Sequence, residues 1–137
     1  MGTQIIDIEP DFDFEVIAIS CHEKDYRLVW SLNVHFGWNL LYDRDHVVLE
    51  KGRRQVFERY TYVDENECLT YTLLSNNGNG GKLLPEYGGF DFFLLISGRE
   101  FLELKELKQT LRKIPFIITL MELSVMSVKS KYNLLIE

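Results

Sequence analysis

The stretch FEVIAISCHEKDYRLVWSLNVHFG, residues 14–37, decides the fold because it predicts a buried strand that leads into a helix. Residues 14–19 are largely apolar on both alternating sides, which is typical of a strand covered on both faces. Ser20 and Glu23 then match the capping box Ser-x-x-Glu, in which each side chain accepts a hydrogen bond from the other residue's backbone amide. We therefore predict a helix that starts directly after Ser20.

The predicted helix carries a wide apolar surface. At about 100° per residue, its large apolar side chains fall into two neighbouring stripes. The first stripe is Leu28, Val29, Leu32 and Phe36, the second is Tyr26, Trp30 and Val34, and a polar line consists of Arg27, Ser31 and His35. Such a helix needs cover from the sheet and from a further segment or a second subunit. Asn33 lies inside the apolar arc and needs a partner, and Gly37 suits the left-handed residue that ends a helix.

Length and composition limit the class of protein. The 137 residues predict a single domain, with an acidic N-terminal arm over residues 1–12 and a C-terminal tail over residues 124–137 that packs on the domain. A hydrophobic fraction of 46% excludes a disordered chain. The net charge of -6 argues against binding to nucleic-acid phosphates, and no apolar run is long enough to span a membrane.

The cysteine content indicates a reducing compartment. Cys21 and Cys68 form no Cys-x-x-Cys motif and are too few for a disulfide framework. The first residues carry acids where a secretory signal carries a basic region and an apolar core. We therefore expect a cytoplasmic protein.

Acidic residues alternate in the segment around the start of the first strand. Asp7, Glu9, Asp11, Asp13 and Glu15 would share one side of an extended chain. The pattern fits a site for a hard cation, but a solvated strand face that discourages aggregation is the commoner case. We favour the solvated face, and we predict no metal and no cofactor.

The middle of the chain predicts hairpins. Residues 46–50 favour a short strand, and Lys51-Gly52 begins a turn. Residues 56–63 and 68–75 flank a polar loop, which predicts a second hairpin.

The register of this second hairpin follows from a four-residue loop over residues 64–67. It places Tyr62 opposite Leu69, Tyr60 opposite Tyr71, and Glu58 opposite Leu73. That face is aromatic and apolar, so we expect it to be packed, whereas the other face is small and polar.

Residues 76–82, NNGNGGK, resemble a phosphate-binding loop in composition only. The pattern GxxxxGK[ST] would require glycine at Asn76 and a hydroxyl at Leu83. We predict a mobile hairpin or crossover loop there.

A second copy of the opening pattern appears at residues 92–100. Residues 92–96 predict an apolar strand, Ser97 and Glu100 repeat Ser-x-x-Glu, and a helical pattern continues to Pro115. Residues 116–123 predict another strand, which makes 92–123 a right-handed βαβ crossover with both helices starting at the same edge of the sheet. We therefore predict an α+β, two-layer sandwich: a mainly antiparallel sheet with two helices on one face, ferredoxin-like with an extra β-hairpin.

Three segments carry a family resemblance: SCHEKDYRLVWSLN at residues 20–33, the Ile114-Pro115 step, and KSKYNLL at residues 129–135. Together they resemble the uncharacterised bacterial family named after the motif Ile-Pro-Glu-x-x-x-Val-Asp-Tyr (IPExxxVDY). Phe116 stands at the position of the motif's glutamate, and residues 120–122 are Leu-Met-Glu. The resemblance covers roughly residues 12–136 and implies no substrate, because the family has no established activity.

The two predicted helix starts define a candidate anion or ligand site. If they lie side by side, their free amides and helix dipoles favour negative charge. The candidate residues are Ser20, His22, Asp25, Arg27, Ser97 and Arg99.

Cys21 is the one catalytic candidate. A thiol in the first turn of a helix has a lowered pKa, and His35 or His46 would have to supply a base through the fold. A small structural residue at the strand-to-helix junction is the alternative, and we favour it.

We expect a non-catalytic interaction or small-ligand-sensing module that self-associates as a homodimer. An uncovered sheet face and the wide apolar arc of the first helix motivate this expectation. The alternative is a thiol-dependent enzyme or redox protein that uses Cys21. RNA bases could stack on exposed tyrosines, but Leu69 and Leu73 on the same face indicate a core, so we predict no nucleic-acid and no membrane partner.

Overall fold

The computed structural model describes residues 12–98 and 104–136. In these residues the chain forms an α+β fold with eight strands and two α-helices. The strands are β1 (Phe14–Cys21), β2 (Leu41–Tyr42), β3 (His46–Glu50), β4 (Arg53–Phe57), β5 (Arg59–Asp64), β6 (Leu69–Ser75), β7 (Phe92–Ser97) and β8 (Ile117–Leu123). The helices are α1 (Asp25–Phe36) and α2 (Leu104–Leu111), and short 3-10 helices lie at Pro85–Tyr87, Val125–Ser127 and Lys131–Leu134.

Six strands form one sheet in the order β2-β5-β6-β7-β1-β8, and β3 pairs with β4 as a separate hairpin. Every pairing is antiparallel. The prediction of a mainly antiparallel sheet is therefore confirmed.

Both faces of the six-stranded sheet are buried at its centre, in β1 and β7. Ile17 and Ile19 of β1 belong to a helix-side core, which includes residues of α1 and α2. Val16 and Ala18 belong to a hairpin-side core, which includes residues of the β3–β4 hairpin, residues 83–84 and the C-terminal tail. The expectation of an uncovered sheet face is therefore wrong for the central strands, because the hairpin and the tail cover them, whereas the edge strand β8 keeps exposed residues such as Ile118.

Helix α1 starts later than the capping box predicts. Its N-cap residue is Lys24, which makes no side-chain cap hydrogen bond, and Ser20 remains in β1 opposite Thr119. The strand is prolonged because the backbone amide of Cys21 donates to the carboxylate of Asp91 (2.9 Å). The predicted capping box at residues 20–23 is therefore wrong.

Helix α1 ends at Gly37, as the sequence predicts. Gly37 has a φ of 70°, and its amide donates to the carbonyl of Asn33 (2.9 Å). The Asn33 side chain also finds its partner, since it donates to the Leu40 carbonyl (3.2 Å) and accepts from the Leu40 amide (2.8 Å).

The β5–β6 hairpin has the predicted faces in a different register. Tyr62 faces Tyr71 rather than Leu69, and Tyr60 faces Leu73 rather than Tyr71. A shift of two residues leaves every side chain on its own face of the sheet. The tyrosines consequently pack in the helix-side core, as the sequence predicts.

The predicted strand over residues 56–63 is divided at Glu58. Phe57 ends β4 in the separate hairpin and is buried in the hairpin-side core, whereas Arg59 begins β5 in the main sheet. The chain crosses from one layer to the other at Glu58.

The two strand-to-helix units lie at opposite ends of the sheet. Strand β7 is antiparallel to β1, and Ser97 at the end of β7 pairs with Phe14 at the start of β1. Strands β7 and β8 run parallel to each other with β1 between them. The prediction that both helices start at one edge is wrong, because it requires β1 and β7 to be parallel. The predicted cap residue Glu100 lies outside the described residues.

Asn76 ties residues 84–91 to the end of β6. It is fully buried, and its side-chain nitrogen donates to the carbonyls of Tyr87 (3.1 Å) and Phe90 (2.8 Å). Its side-chain oxygen accepts from the amide of Leu84 (2.9 Å), and its own amide donates to the Asp91 carbonyl (2.8 Å). The glycine-rich segment therefore begins at a fixed, fully bonded residue.

The C-terminal tail is held by polar contacts as well as by burial. The Asn133 side chain donates to the carbonyl of Leu83 (2.8 Å), and the Asn133 carbonyl lies 2.5 Å from Nε2 of His46. The carboxylate of Glu86 accepts from the amide and the hydroxyl of Ser130 (2.8 and 2.6 Å). These contacts join the tail, the β3–β4 hairpin and residues 83–86 into one layer.

Replacing Asn76 by alanine is expected to lower the free energy of unfolding by about 2–4 kcal/mol, because buried carbonyl and amide groups lose their partner. Denaturant unfolding measures this change. Asn66→Ala, in the exposed turn between β5 and β6, is the matched control and should change the stability by less than about 0.5 kcal/mol. Equal stability of the two variants would contradict the role of Asn76.

Candidate functional site

The predicted anion site is not assembled. Ser20 lies near the end of β1, whereas Ser97 pairs with Phe14 at the start of that strand. About six residues of extended chain separate the two positions, which corresponds to roughly 20 Å. Arg99 lies outside the described residues.

The other predicted residues have separate environments. His22 is exposed beyond the end of β1. Arg27 lies on the surface, with its guanidinium 5.9 Å from the centre of the Phe116 ring and its Nε 4.0 Å from the Glu23 carboxylate. Asp25 interacts with two titratable side chains, those of Glu58 and Tyr60.

Cys21 lacks the surroundings of a nucleophile. It is 6% exposed, and its thiol donates to the carbonyl of Glu23 (3.6 Å). Burial, together with the negative charges of Asp91 and Glu23, raises the pKa of the thiol despite that hydrogen bond. Helix α1 begins only at Asp25, so the thiol is not in its first turn. A raised pKa reduces the thiolate fraction, which is the opposite of what a nucleophilic cysteine needs.

Asp25, the first residue of α1, is bonded to side chains from the sheet. The hydroxyl of Tyr60 in β5 donates to Oδ2 of Asp25 (2.5 Å), and the carboxyl of Glu58 shares a hydrogen bond with Asp25. Burial alone would raise the pKa of Asp25, but the hydrogen bonds from Glu58, Tyr60 and backbone amides hold it below its ordinary value. Asp25 therefore carries the negative charge of the cluster.

Glu58 holds the proton of this contact, and we call Asp25 and Glu58 the carboxyl pair. Although Glu58 lies on the surface, the hydrogen bond to Asp25, partial desolvation and the negative charges of Asp25 and Asp45 raise its pKa to about 7. Two carboxyl groups in contact cannot both ionise without repulsion, so they bind and release protons as a unit. This pair can exchange a proton near neutral pH.

Tyrosines border the carboxyl pair. The ring of Tyr42 in β2 meets the ring of Tyr60 edge-on at 5.9 Å, and the Tyr42 hydroxyl donates to Asp45. Burial and the hydrogen bond to Asp25 raise the pKa of Tyr60, which therefore stays a donor at neutral pH. The cluster joins α1, β2 and β5 and the loop before β3.

The outer face of α1 forms a second candidate surface. Tyr26, Trp30 and Val34 are 62%, 63% and 58% exposed. They lie one helical turn apart and form a line, which we call the apolar stripe. The sequence predicts this stripe but also predicts a cover for it, and none of the described residues 12–98 and 104–136 provides that cover.

Other classes of site are absent from the described part of the chain. In residues 12–98 and 104–136, no group of three or more histidine, cysteine, aspartate or glutamate side chains could hold a metal ion. No helix within these residues is long and apolar enough to cross a membrane.

No protein-family model matches this chain, and a search of curated proteins finds no significant similarity.

Sequence reasoning finds Asp25 but misses its partners. The sequence identifies Asp25 because an acid in the first turn of a helix interacts favourably with the helix dipole. It does not identify Tyr60, because Tyr60 lies 35 residues further along the chain. The usable signal is Glu58, an acid on the predicted apolar face of the hairpin. An acid at such a position requires a polar partner.

Protein stability is expected to fall as the pH rises from about 4.5, the ordinary pKa of Glu58, to about 7, its pKa in the folded protein, because the folded state holds the proton of the carboxyl pair more tightly than the unfolded state does. The pKa of Glu58 is raised to about 7, so its contribution is present at acidic pH and is lost as the pH rises through that value. The lowered pKa of Asp25 acts at the other end of the scale, where its contribution is lost as the pH falls below its ordinary value. The midpoint of thermal unfolding as a function of pH measures both effects.

Glu58→Gln should flatten the upper part of this profile, because the amide donates to Asp25 at every pH. Glu65→Gln, in the exposed turn after β5, serves as the control and should keep the wild-type profile. A wild-type profile in the Glu58→Gln protein would contradict the proton-sharing arrangement.

Proposed function

We propose that this protein is a non-catalytic, cytoplasmic interaction module that self-associates through the apolar stripe of α1. The exposure of Tyr26, Trp30 and Val34 along one line of the helix carries the proposal. A patch of roughly 300–600 Å² is often a functional surface on a monomeric protein. From their exposed fractions, these side chains contribute roughly 350 Å² of mostly apolar area.

The stripe favours a second copy of the chain because it is self-complementary. With a two-fold axis at Trp30 and antiparallel helices, Tyr26 of one copy faces Val34 of the other. Arg27 then approaches the C-terminal turn of the other α1, where free carbonyls favour a cation. No like charges oppose each other along the stripe in this arrangement.

The small area argues for a weak association rather than a permanent one. Two stripes bury roughly 700 Å², which is less than the roughly 1,200 Å² of a stable interface. We therefore infer a weak dimer, with a dissociation constant on the order of 10–100 μM.

The alternative function, thiol chemistry at Cys21, has less support. Its burial and raised pKa disfavour reactivity. Both cysteines are unpaired, with Cys68 exposed, and this supports a reducing compartment.

We infer a ferredoxin-like core with additions. The elements β1, α1, β6, β7, α2 and β8 follow each other in the β-α-β-β-α-β order of that fold, and their strands lie in the order β8-β1-β7-β6. Strands β2 and β5 and the β3–β4 hairpin are the additions, placed between α1 and β6. The hairpin forms part of a further layer on the face opposite the helices.

We also propose that this protein is a member of the bacterial IPExxxVDY family, on the basis of a second stretch of its sequence. Residues 84–92, LPEYGGFDF, keep the proline, the glutamate and the aspartate of the motif at its spacing, with apolar residues at its other named positions. Glu86 is bonded to Ser130, and Asp91 is bonded to the amide of Cys21. Both acids therefore hold the fold together, which agrees with a non-catalytic module. An alignment of relatives in which Pro85, Glu86 and Asp91 vary freely would contradict this assignment.

Sedimentation equilibrium tests self-association. The wild-type protein should shift from monomer to dimer as its concentration rises to about 500 μM, and Trp30→Glu should remain a monomer because it places a charge at the centre of the interface. Leu49→Glu is the control, since Leu49 is 76% exposed on β3 and lies outside the stripe. A wild-type protein that is a strict monomer throughout this range would contradict the proposal.

A further inference from the structure

We propose that Asn79 is a site of spontaneous chemical modification, at which the backbone nitrogen of Gly80 displaces the side-chain amide group and the product releases the glycine-rich segment, residues 76–82, from β4. The site lies outside the apolar stripe and does not depend on self-association.

The glycine-rich segment contains two asparagine-glycine steps, Asn77-Gly78 and Asn79-Gly80. Both asparagines are exposed. The backbone nitrogen of the residue that follows an asparagine can attack the side-chain carbonyl carbon, and glycine hinders this approach least because it has no Cβ. The unfolded chain therefore offers two similar sites, and only the fold can distinguish them.

Both side-chain carbonyl groups are polarised by a donor. Oδ1 of Asn79 accepts a hydrogen bond from the backbone amide of Val56 (2.8 Å), and Oδ1 of Asn77 accepts one from the ammonium group of Lys82. Attack on the carbonyl carbon places negative charge on this oxygen, and a donor aimed at the oxygen stabilises that charge. The donors therefore favour the reaction at both asparagines.

The two attacking nitrogens differ in their freedom to move. The Gly78 amide donates to the Gly81 carbonyl (2.9 Å), and a Cβ at Gly78 would lie 2.6 Å from the Phe57 ring. A Cβ at Gly80 would meet no heavy atom of the described residues within 4 Å, its chain neighbours aside. Gly78 is therefore held by a hydrogen bond and by packing, whereas Gly80 has room to rotate towards Asn79.

The reaction at Asn79 requires only water and a base from the solvent. The Gly80 nitrogen loses its proton to the base and forms a bond to Cγ of Asn79. The bond between Cγ and Nδ2 breaks, and Nδ2 leaves as ammonia after it takes a proton from the solvent. Water then opens the resulting succinimide ring at either carbonyl carbon. One product is aspartate, and the other is isoaspartate, in which the main chain runs through the former side chain.

Isoaspartate at position 79 breaks the attachment to β4. Asn79 binds both backbone groups of Val56, because its Oδ1 accepts from the Val56 amide and its own amide donates to the Val56 carbonyl (3.3 Å). Isoaspartate adds a methylene group to the main chain and moves the carboxylate, so the two bonds lose their geometry. Within the described residues β4 pairs with β3 alone, so this loss uncovers its other edge. Aspartate keeps an acceptor oxygen in place and retains the attachment.

Peptide mapping by mass spectrometry tests the site in the purified chain, incubated at mildly alkaline pH. Conversion should be about tenfold faster at Asn79 than at Asn77, because Gly78 has to break its hydrogen bond and its packing before it can attack. In denaturant the same chain should convert both asparagines at similar rates. Equal rates in the folded chain, faster conversion at Asn77, or conversion in denaturant alone would overturn the proposal.

Gly80→Ala tests the identity of the attacking nitrogen. The added Cβ should slow conversion at Asn79 by about tenfold or more, because it hinders the approach to Cγ. The variant should fold normally, because Gly80 has no positive φ and open space surrounds it. Gly89→Ala is the matched control, since Gly89 is equally open and follows no asparagine, and it should keep the wild-type rate. An unchanged rate in Gly80→Ala would exclude Gly80 as the nucleophile.

Hydrogen exchange of the Val56 amide, followed by NMR, tests the release from β4. Protection should be lost in the isolated isoaspartyl form of the wild type, and it should persist in Asn79→Asp, which keeps the acceptor. Protection that persists in the isoaspartyl form would overturn the release.

Discussion

The burial of β1 on both faces and along both edges is the constraint on which the rest of the structure depends. Its central residues Val16, Ile17, Ala18 and Ile19 are fully buried, and β7 and β8 pair with its two edges. Burying one large aliphatic side chain contributes about 1.5–3 kcal/mol, so this strand alone requires cover on two sides. Because successive side chains of β1 point to opposite faces of the sheet, they contribute alternately to the helix-side core and to the hairpin-side core. The antiparallel pairing with β7 then sends α1 and α2 from opposite ends of the sheet.

Local patterns in the sequence predict those parts of the fold that depend on local contacts. The strand at residues 46–50 and the helix end at Gly37 follow from turn and cap chemistry within a few residues. The faces of the β5–β6 hairpin are also predicted correctly although the register is not, because a shift of two residues preserves the alternation. The capping box at Ser20 fails for a non-local reason. The Cys21 amide bonds to Asp91, 70 residues away, and no local pattern reports that bond.

The candidate site also depends on non-local contacts that local sequence patterns do not report. Asp25 is visible in the sequence as an acid in the first turn of a helix, but its chemistry comes from Glu58 and Tyr60 on the other side of the helix–sheet interface. Glu58 reaches that interface because the chain changes layers between β4 and β5. The sequence predicts one continuous strand there, so it places Glu58 within a hairpin opposite Leu73 and gives it no polar partner. A break in a predicted strand at an acid on an apolar face would be the signal to seek a second acid.

The apolar stripe is exposed because other described segments pack on the opposite face of the sheet. Among the described residues, the β3–β4 hairpin, residues 83–90 and the C-terminal tail are the segments outside the sheet and the two helices, and all three contribute to the hairpin-side core. They are fixed there by Asn76, Asn133 and the Glu86–Ser130 contact. None of these described segments can reach α1 without exposing the second face of β1. A single exposed aromatic residue is ordinary on a protein surface, but three large apolar side chains aligned on one helix favour a partner outside the chain. The same burial of β1 that determines the fold therefore also keeps these described segments away from the stripe.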